Sequence, residues 1–289
     1  MLVAPSRVSK PSVMLEFDTL NRINGVGVAP RELADWLIGR GLHFVSTVEA
    51  AEILGVPAAS VPASLERSRQ AGKLVSVTKG GWVPVPAEYR PVGAPPASHF
   101  IDPMMEHLGH SYYVGFLSAA AAHGAAHQSP MVFQVVTPAR LRDRRIGRSR
   151  IEFIQRAAAA QRPRARRDVP TGRIWVSTPE VTALDLVEAP GEGAGLSNVA
   201  TIIGEFLLDE VLDADELASV AGAYPTAVAQ RAGYLIDRMA AEVGASFDTS
   251  PLHGRIGEAR QLPLTSGEGA SNADPRWRVV APVPLEHDL

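Results

Sequence analysis

The stretch Ser46–Val83, STVEAAEILGVPAASVPASLERSRQAGKLVSVTKGGWV, decides how the N-terminal part of the chain folds. Its pattern predicts a helix, a tight turn, a second helix and a two-stranded hairpin. Ser46 and Glu49 have the spacing of a capping box, and Gly55 is placed to end the first helix. Pro62 is compatible with the first turn of the second helix. This order is typical of a winged helix-turn-helix, whose second helix enters the major groove of DNA.

Polar side chains of this stretch supply candidate DNA contacts. Residues 60, 64 and 67 share one face of the second helix, predicted over Ala59–Ala71, and residues 78 and 79 lie at the tip of the hairpin. The predicted contacts are Ser60, Ser64, Arg67, Arg69, Lys73, Thr78 and Lys79. Winged helices also serve as protein-binding modules, so an adaptor that binds only protein is a competing interpretation.

Length and composition set the class of protein. A chain of 289 residues with 46% hydrophobic and 20% charged residues accommodates two domains with ordinary cores. The absence of cysteine excludes disulfides and thiolate metal sites. No apolar run reaches the roughly 18–20 residues of a membrane span, and the N-terminus has no signal-peptide pattern. We expect a cytoplasmic protein without a membrane partner.

The positions of the prolines and the order of the predicted elements indicate the domain boundaries. We predict an N-terminal arm, partly disordered, at 1–28, the winged helix-turn-helix at 29–90 and a Pro-rich linker at 91–98. A second domain follows at 99–289, with strands at 131–137, 151–155 and 172–178 and several helices after them. A last strand is predicted near Trp277. The fold class is α+β: a winged helix, then a mixed α/β domain with a small sheet.

Charge is concentrated in one segment. Between residues 140 and 173 there are twelve arginines against Asp143, Glu152 and Asp168, a local net charge of +9 in a chain whose net charge is −3. We expect these arginines to sit mainly in turns and to form one basic face that attracts phosphate. Internal pairing with the acidic helices that follow is the alternative. Further DNA contacts are predicted at Arg140, Arg142, Arg144, Arg145, Arg148 and Arg150.

Several short motifs of the second domain resemble those of the AbiEi family, the antitoxins and transcriptional repressors of bacterial type IV toxin–antitoxin systems. They are Tyr112–Gly115 continuing through Ser118–Ala120 to His123–Gly124, Val176–Leu186, Gln230–Ile236 and Trp277. Their order after a winged helix is also that of the family, and the resemblance extends from about Pro30 to Trp277. The residues before Pro30 and the Pro-rich linker have no counterpart in it.

The resemblance implies a function that the residues alone do not. A member of this family represses its own operon by binding double-stranded DNA at its promoter through the N-terminal domain. The second domain counters a cognate nucleotidyltransferase-like toxin, directly or functionally. The resemblance implies no cofactor.

The main catalytic alternative is a metal-dependent nuclease with a winged-helix domain. The common acid-x-Lys arrangement is missing, because the residues two positions before the three lysines are Val8, Ala71 and Val77. A zinc site at His107, His110, His123 and His127 would lack a cysteine ligand and the glutamate that would follow His123. We therefore predict no catalytic residue and no metal ligand.

Overall fold

The chain divides at Ala87/Glu88 into two units, each described here by itself from a computed structural model. The described residues are 27–125, 131–264 and 271–282. The arm predicted at 1–28 lies outside them except for its last two residues. Val28 is buried and its N–H donates to the Ile53 carbonyl (3.2 Å), so this end of the segment packs on the first unit.

The described residues of the first unit form three short helices and a three-stranded sheet. Its elements in order are α1 Leu33–Ile38, β1 Val45–Ser46, α2 Thr47–Leu54, a 3-10 turn Ala58–Ser60 leading into α3 Val61–Gln70, β2 Leu74–Thr78 and β3 Gly81–Pro84. The strand order is β1-β3-β2, with both pairs antiparallel. The predicted order of helix, turn, helix and hairpin is confirmed.

The ends of α2 follow from the residues that the sequence places there. The Ser46 N–H donates to the Glu49 carboxylate (2.6 Å) and the Glu49 N–H donates to Ser46 Oγ (3.2 Å), which completes the predicted capping box. Gly55 ends the helix in the left-handed conformation with φ 66°. The Trp82 indole N–H donates to Thr47 Oγ1 (3.1 Å) and so ties the hairpin to the start of α2.

The second unit is an α+β structure built on a mixed six-stranded sheet. Its helices are α4 Ile101–His107, α5 Phe116–Ala122, α6 Pro179–Glu188, α7 Leu196–Leu208, α8 Ala214–Ala221, α9 Thr226–Val243 and α10 Ser250–His253. The strands of the large sheet are β4 Tyr113–Val114, β5 Phe133–Thr137, β6 Arg144–Ile146, β7 Ser149–Gln155, β8 Arg164–Val169 and β9 Gly172–Ser177. A small sheet is formed by β10 Leu262–Pro263, β11 Ser271–Asp274 and β12 Val279–Pro282.

The order of the large sheet is β6-β7-β5-β4-β9-β8. β5 pairs with β7 and β4 with β9 in parallel, and the remaining pairs are antiparallel. The three predicted strands correspond to β5, β7 and β9. β4, β6 and β8 were not predicted: β4 is two residues long, and the arginine-rich edge strands β6 and β8 lack an apolar alternation, because edge positions are exposed.

The residues predicted as a linker belong to the packing of the second unit. Residues 91–98 run along the β6–β7 turn, where the Arg148 N–H donates to the Val92 carbonyl (2.9 Å). A Cβ on Gly93 would come within 3.0 Å of Gly147 Cα, so the two backbones approach closely. Ala94 is buried at this contact.

The small sheet is held against α9 by Trp277, which is fully buried. Its indole N–H donates to the Asp237 carboxylate (2.6 Å), and the Gln230 side-chain amide donates to the Trp277 carbonyl (3.0 Å). Gly233 leaves room for the ring: a Cβ built there would lie 2.2 Å from two ring atoms. Two motifs about 40 residues apart along the chain therefore form one packing unit.

Replacing Gly233 by alanine should lower the free energy of unfolding by about 1–3 kcal/mol, because the added methyl must displace a large buried ring. The urea-unfolding midpoint, followed by tryptophan fluorescence, measures the loss. Gly191→Ala is the matched control, since no atom lies within 4 Å of a Cβ built at that position, and its effect should stay within about 0.5 kcal/mol. Equal stability of the two variants would contradict the proposed packing.

Candidate nucleic-acid interface

Helix α3 turns one face into the core of the first unit. Val61 and Leu65 are fully buried, and the Ser68 hydroxyl donates a hydrogen bond to the Pro30 carbonyl (3.0 Å). Positions 61, 65 and 68 share one face of a helix, so these contacts fix its rotation. The face that includes Arg67 is left in solvent.

The predicted contacts on α3 differ in their availability. Ser60 and Arg67 are exposed and Ser64 is half-buried. Within the part of the chain that the structure describes, the Arg67 guanidinium has no hydrogen-bond or ion-pair partner. Arg69, in contrast, donates two hydrogen bonds to the Glu66 carboxylate (2.8 and 2.7 Å).

The hairpin and the residue before it offer fewer contacts than predicted. Lys73 forms an ion pair with Asp35 (3.0 Å). Thr78 is only 5% exposed, and this burial takes its side chain out of the predicted contact set. Lys79 is exposed next to Gly80 in the turn. The tip of the hairpin therefore presents Lys79 to solvent.

The basic run of the second unit is divided between the two edges of the large sheet. Its first half lies on β6, β7 and their flanks, and its second half on β8 and β9, at the opposite edge of the sheet. Six strands spaced about 4.8 Å apart separate the two edges by about 24 Å. Seven of the twelve arginines lie in strands rather than turns: Arg144, Arg145, Arg150, Arg164, Arg166, Arg167 and Arg173.

Arginines at the β8–β9 edge are engaged within the unit. Arg166 pairs with Asp102 (2.8 Å), and Arg173 pairs with Asp168 (2.7 Å). The guanidinium of Arg166 also lies over the Trp175 ring, 4.5 Å from its centroid. For this half of the run, the alternative of internal pairing is the one that the structure supports.

Arginines at the β6–β7 edge, unlike Arg166 and Arg173, are mostly exposed and without an ion pair among the described residues. Five of the six predicted contacts here are exposed and form no ion pair with any described residue: Arg140, Arg142, Arg145, Arg148 and Arg150. The sixth, Arg144, is half-buried. These five arginines form an exposed group without an acidic partner, among the described residues, at one edge of the sheet. At the other edge Arg164 and Arg167 also lack an acidic partner within the described chain, but they contact the Ala159 carbonyl and His123 (both 3.3 Å).

A buried ionic network lies beneath the large sheet. Arg162 is only 5% exposed and forms an ion pair with Asp185, which is fully buried on α6. The hydroxyls of Tyr113 on β4 and Tyr224 before α9 each donate to the Asp185 carboxylate (2.8 Å). Arg162 also contacts Glu188 (3.2 Å). The network joins a strand, two loops and a helix.

The chemistry of this network is that of a structural anchor. Burial raises the pKa of the Asp185 carboxyl to about 6, because the loss of water around it outweighs the stabilisation of its charge by Arg162 and the two tyrosine hydroxyls. Burial also raises the pKa of Tyr113 and of Tyr224, so both hydroxyls remain hydrogen-bond donors. All of the carboxylate's partners are protein groups that hold it in place.

Sequence reasoning counted Arg162 among the surface arginines and did not single out Tyr224. The run Ala157–Ala160 just before Arg162 was the only signal of a buried neighbourhood, and Ala159 is indeed fully buried.

The histidines considered as zinc ligands are not grouped into a metal site within the described residues. His123 lies 2.7 Å from the Ser177 carbonyl, and His127 is outside the described residues. Within 27–125, 131–264 and 271–282, no group of three or more acidic or histidine side chains is arranged to hold a metal ion.

Motifs that are distant in sequence meet in the second unit. Tyr113 and Asp185, from two of the motifs quoted above, share a hydrogen bond, and the Ser177 and Thr182 hydroxyls are 2.7 Å apart. Gln230 and Trp277, from the other two, also bond directly. These motif residues are therefore held together by contacts within the fold.

The fold defines an α+β protein of two units. Exposed arginines without an ion pair among the described residues lie on α3 of the first unit and at the β6–β7 edge of the second. Residues 113–238 match the AbiEi antitoxin C-terminal domain. The second unit therefore contains an AbiEi antitoxin domain, and the family predicted from the motifs is confirmed. An antitoxin family implies a toxin as partner.

The fold is also found in a solved structure. The crystal structure of the RV2827C protein from Mycobacterium tuberculosis superposes with a TM-score of 0.61 over 86% of this chain and 90% of that chain, at 16% sequence identity. At this identity the likeness concerns the fold alone. Comparison with the curated proteins gives no match.

None of the helices in the described part of the chain combines the length and the apolar character needed to cross a bilayer.

The raised pKa of Asp185 predicts a pH dependence of stability. The folded state holds this proton more tightly than the unfolded chain, in which the carboxyl titrates near 3.8. The resulting stabilisation is complete below the unfolded value and is lost as the pH rises through about 6. Between pH 5 and pH 7, the free energy of unfolding should fall by about 1 kcal/mol more in the wild type than in Asp185→Asn.

Urea unfolding of both proteins at pH 5, 6 and 7 measures this difference. Asp168→Asn is the control, because this carboxylate is exposed and pairs only at the surface with Arg173, and it should keep the pH dependence of the wild type. An Asp185→Asn variant with unchanged pH dependence would show that this carboxyl does not titrate in the range.

Proposed function

We propose that this protein is a DNA-binding transcriptional repressor that acts as the antitoxin of a type IV, AbiE-like toxin–antitoxin system. It autoregulates its operon and counters a nucleotidyltransferase-like toxin. The observation that carries the proposal is the combination of an AbiEi antitoxin domain with a separate unit whose α3 helix exposes an arginine that has no partner among the described residues.

The first unit is proposed to be a winged helix-turn-helix. The order α1, β1, α2, α3 and the β2–β3 hairpin supports this interpretation, as does the rotation of α3, which buries Val61 and Leu65 and exposes Arg67. In the proposed complex, α3 enters the major groove with Ser60, Ser64 and Arg67 near the DNA. Lys79 at the hairpin tip holds a backbone phosphate.

The second unit is proposed to add phosphate contacts through the β6–β7 edge. Its exposed arginines have no acidic partner among the described residues, and such a cluster attracts a polyanion. Arg173 and Arg166 at the other edge are left out of the proposal, because their charge is already paired. An operon repressor of this kind acts in the cytoplasm, and a chain without cysteine is compatible with that compartment.

A nuclease is the alternative function, because winged helices and basic surfaces also occur in nucleases. Such an enzyme needs a carboxylate cluster for its metal ion, which would have to be formed with residues outside the described ranges. Cleavage of DNA or RNA that depends on a divalent metal would support the nuclease. Absence of both DNA binding and cleavage would favour an adaptor that binds only protein.

Binding to the DNA upstream of the protein's own gene tests the proposal. The wild type should bind this duplex at low salt more tightly than an unrelated duplex of equal length, as measured by fluorescence anisotropy. Arg142→Ala should lower the magnitude of the slope of log K against log salt by about 0.9, the value for one phosphate contact. Lys79→Ala should weaken both duplexes by a similar factor.

Arg173→Ala is the matched control, because it removes the same charge from an arginine that is already paired with Asp168. Its salt slope should equal that of the wild type. Equal affinity of the wild type for the two duplexes would contradict a repressor of its own operon. Equal slopes for Arg142→Ala and Arg173→Ala would remove the β6–β7 edge from the interface.

A further inference from the structure

The α3 helix carries two arginines two positions apart, Arg67 and Arg69, whose surroundings differ. Successive residues of a helix are 100° apart, so side chains at positions 67 and 69 project about 160° from one another. Arg69 lies on the flank that also carries Glu66, and the two form a two-point ion pair (2.8 and 2.7 Å). The Gln70 amide donates to the same carboxylate (2.9 Å). On this flank of α3 the side chains of Glu66, Arg69 and Gln70 are therefore hydrogen-bonded to one another.

Arg67 lies on the other side of α3. Its guanidinium is exposed and, within the described residues, makes no hydrogen bond or ion pair. The nearest outward positions on that side are Ala63, one turn earlier, and Ser64, neither of which competes for it with a negative charge. The five N–H donors of this guanidinium are therefore available in a planar fork.

The chemistry of such a fork favours one base. In the major groove, guanine presents two acceptors, O6 and N7, at a spacing that a guanidinium meets with two hydrogen bonds. Adenine presents an acceptor beside a donor, and an arginine cannot satisfy that donor. Because Glu66 occupies Arg69 and Gln70, the only charged donor on α3 without a partner in the described chain is Arg67.

We propose that Arg67 is a specificity-determining residue that reads one guanine of the DNA site, and that Glu66 keeps Arg69 from base readout. The inference rests on the proposed function, since it requires α3 to enter the major groove. It adds the chemical identity of the base recognised and the residue that recognises it. Turning that flank of the helix toward a DNA phosphate is also unfavourable, because the Glu66 carboxylate and the phosphate are both negatively charged.

Selection from a pool of randomised duplexes tests the inference and does not require the operator sequence. The full-length wild type, Arg67→Ala, Arg67→Lys and Arg69→Ala are each used to enrich the same pool. The wild type should enrich a site with a guanine at a fixed position. Arg67→Ala should lose the preference at that position alone, by about 5- to 140-fold, which corresponds to the usual discrimination of a two-point base contact. Arg69→Ala should enrich the same site as the wild type.

Arg67→Lys separates base reading from a simple charge contact. A lysine supplies the charge without the planar fork and reaches guanine only with one ammonium, so this variant should keep most affinity for random DNA and show a weaker guanine preference than the wild type. Replacement of the selected guanine by 7-deazaguanine removes the N7 acceptor. This change should weaken the wild type and leave the affinity of Arg67→Ala unaltered. All four proteins should unfold at the same temperature, because the substituted side chains are exposed.

Each outcome decides between the claims. Retention of the guanine preference by Arg67→Ala, or its loss in Arg69→Ala alone, would overturn the inference while leaving a DNA-binding function in place. A guanine preference as strong in Arg67→Lys as in the wild type would show that a single ammonium suffices, and would overturn two-point reading by the planar fork. Failure of the wild type to enrich any site would overturn the proposed function and this inference together.

Discussion

The second unit depends on a buried ion pair between Arg162 and Asp185 that two tyrosine hydroxyls complete. A charge removed from water is costly unless it is paired and hydrogen-bonded. Here the carboxylate accepts from Tyr113, Tyr224 and the guanidinium. The elements that carry these side chains cannot shift independently without leaving a buried charge unpaired. This network therefore couples the sheet to helix α6 and to the residues just before α9.

The arginines of the chain differ in whether they have an acidic partner, and this difference separates their roles. Arg162 is enclosed by the fold, and Arg166 and Arg173 are neutralised at one edge of the sheet. The exposed arginines of the β6–β7 edge and Arg67 of the first unit remain without acidic partners among the described residues. A count of positive charge along the sequence cannot make this division, because Asp102 and Asp185, the partners of Arg166 and Arg162, lie outside the counted segment. The local net charge of +9 therefore overstates the charge available to a ligand.

Local signals predicted the first unit well. The Ser46 capping box, the helix end at Gly55 and the hairpin each depend on residues that are close together in the sequence, and all are present. Strands β6 and β8 were missed because exposed edge strands need no apolar alternation, and the arginines were consequently assigned to turns. The pairing of Arg69 with Glu66 was in principle readable from their spacing of three residues. The burial of Arg162 and of Thr78 depends on tertiary contacts that no local pattern reports.

The central claim is that one chain carries two separable activities, repression by the first unit and toxin neutralisation by the second. The most direct measurement is the growth of cells that express the proposed nucleotidyltransferase-like toxin together with this chain, alongside a reporter driven by the promoter of this chain's own gene. The account predicts that wild type restores growth and silences the reporter, and that Arg67→Ala restores growth without silencing. Failure of the wild type to restore growth, or loss of both activities in Arg67→Ala with the fold intact, would contradict it.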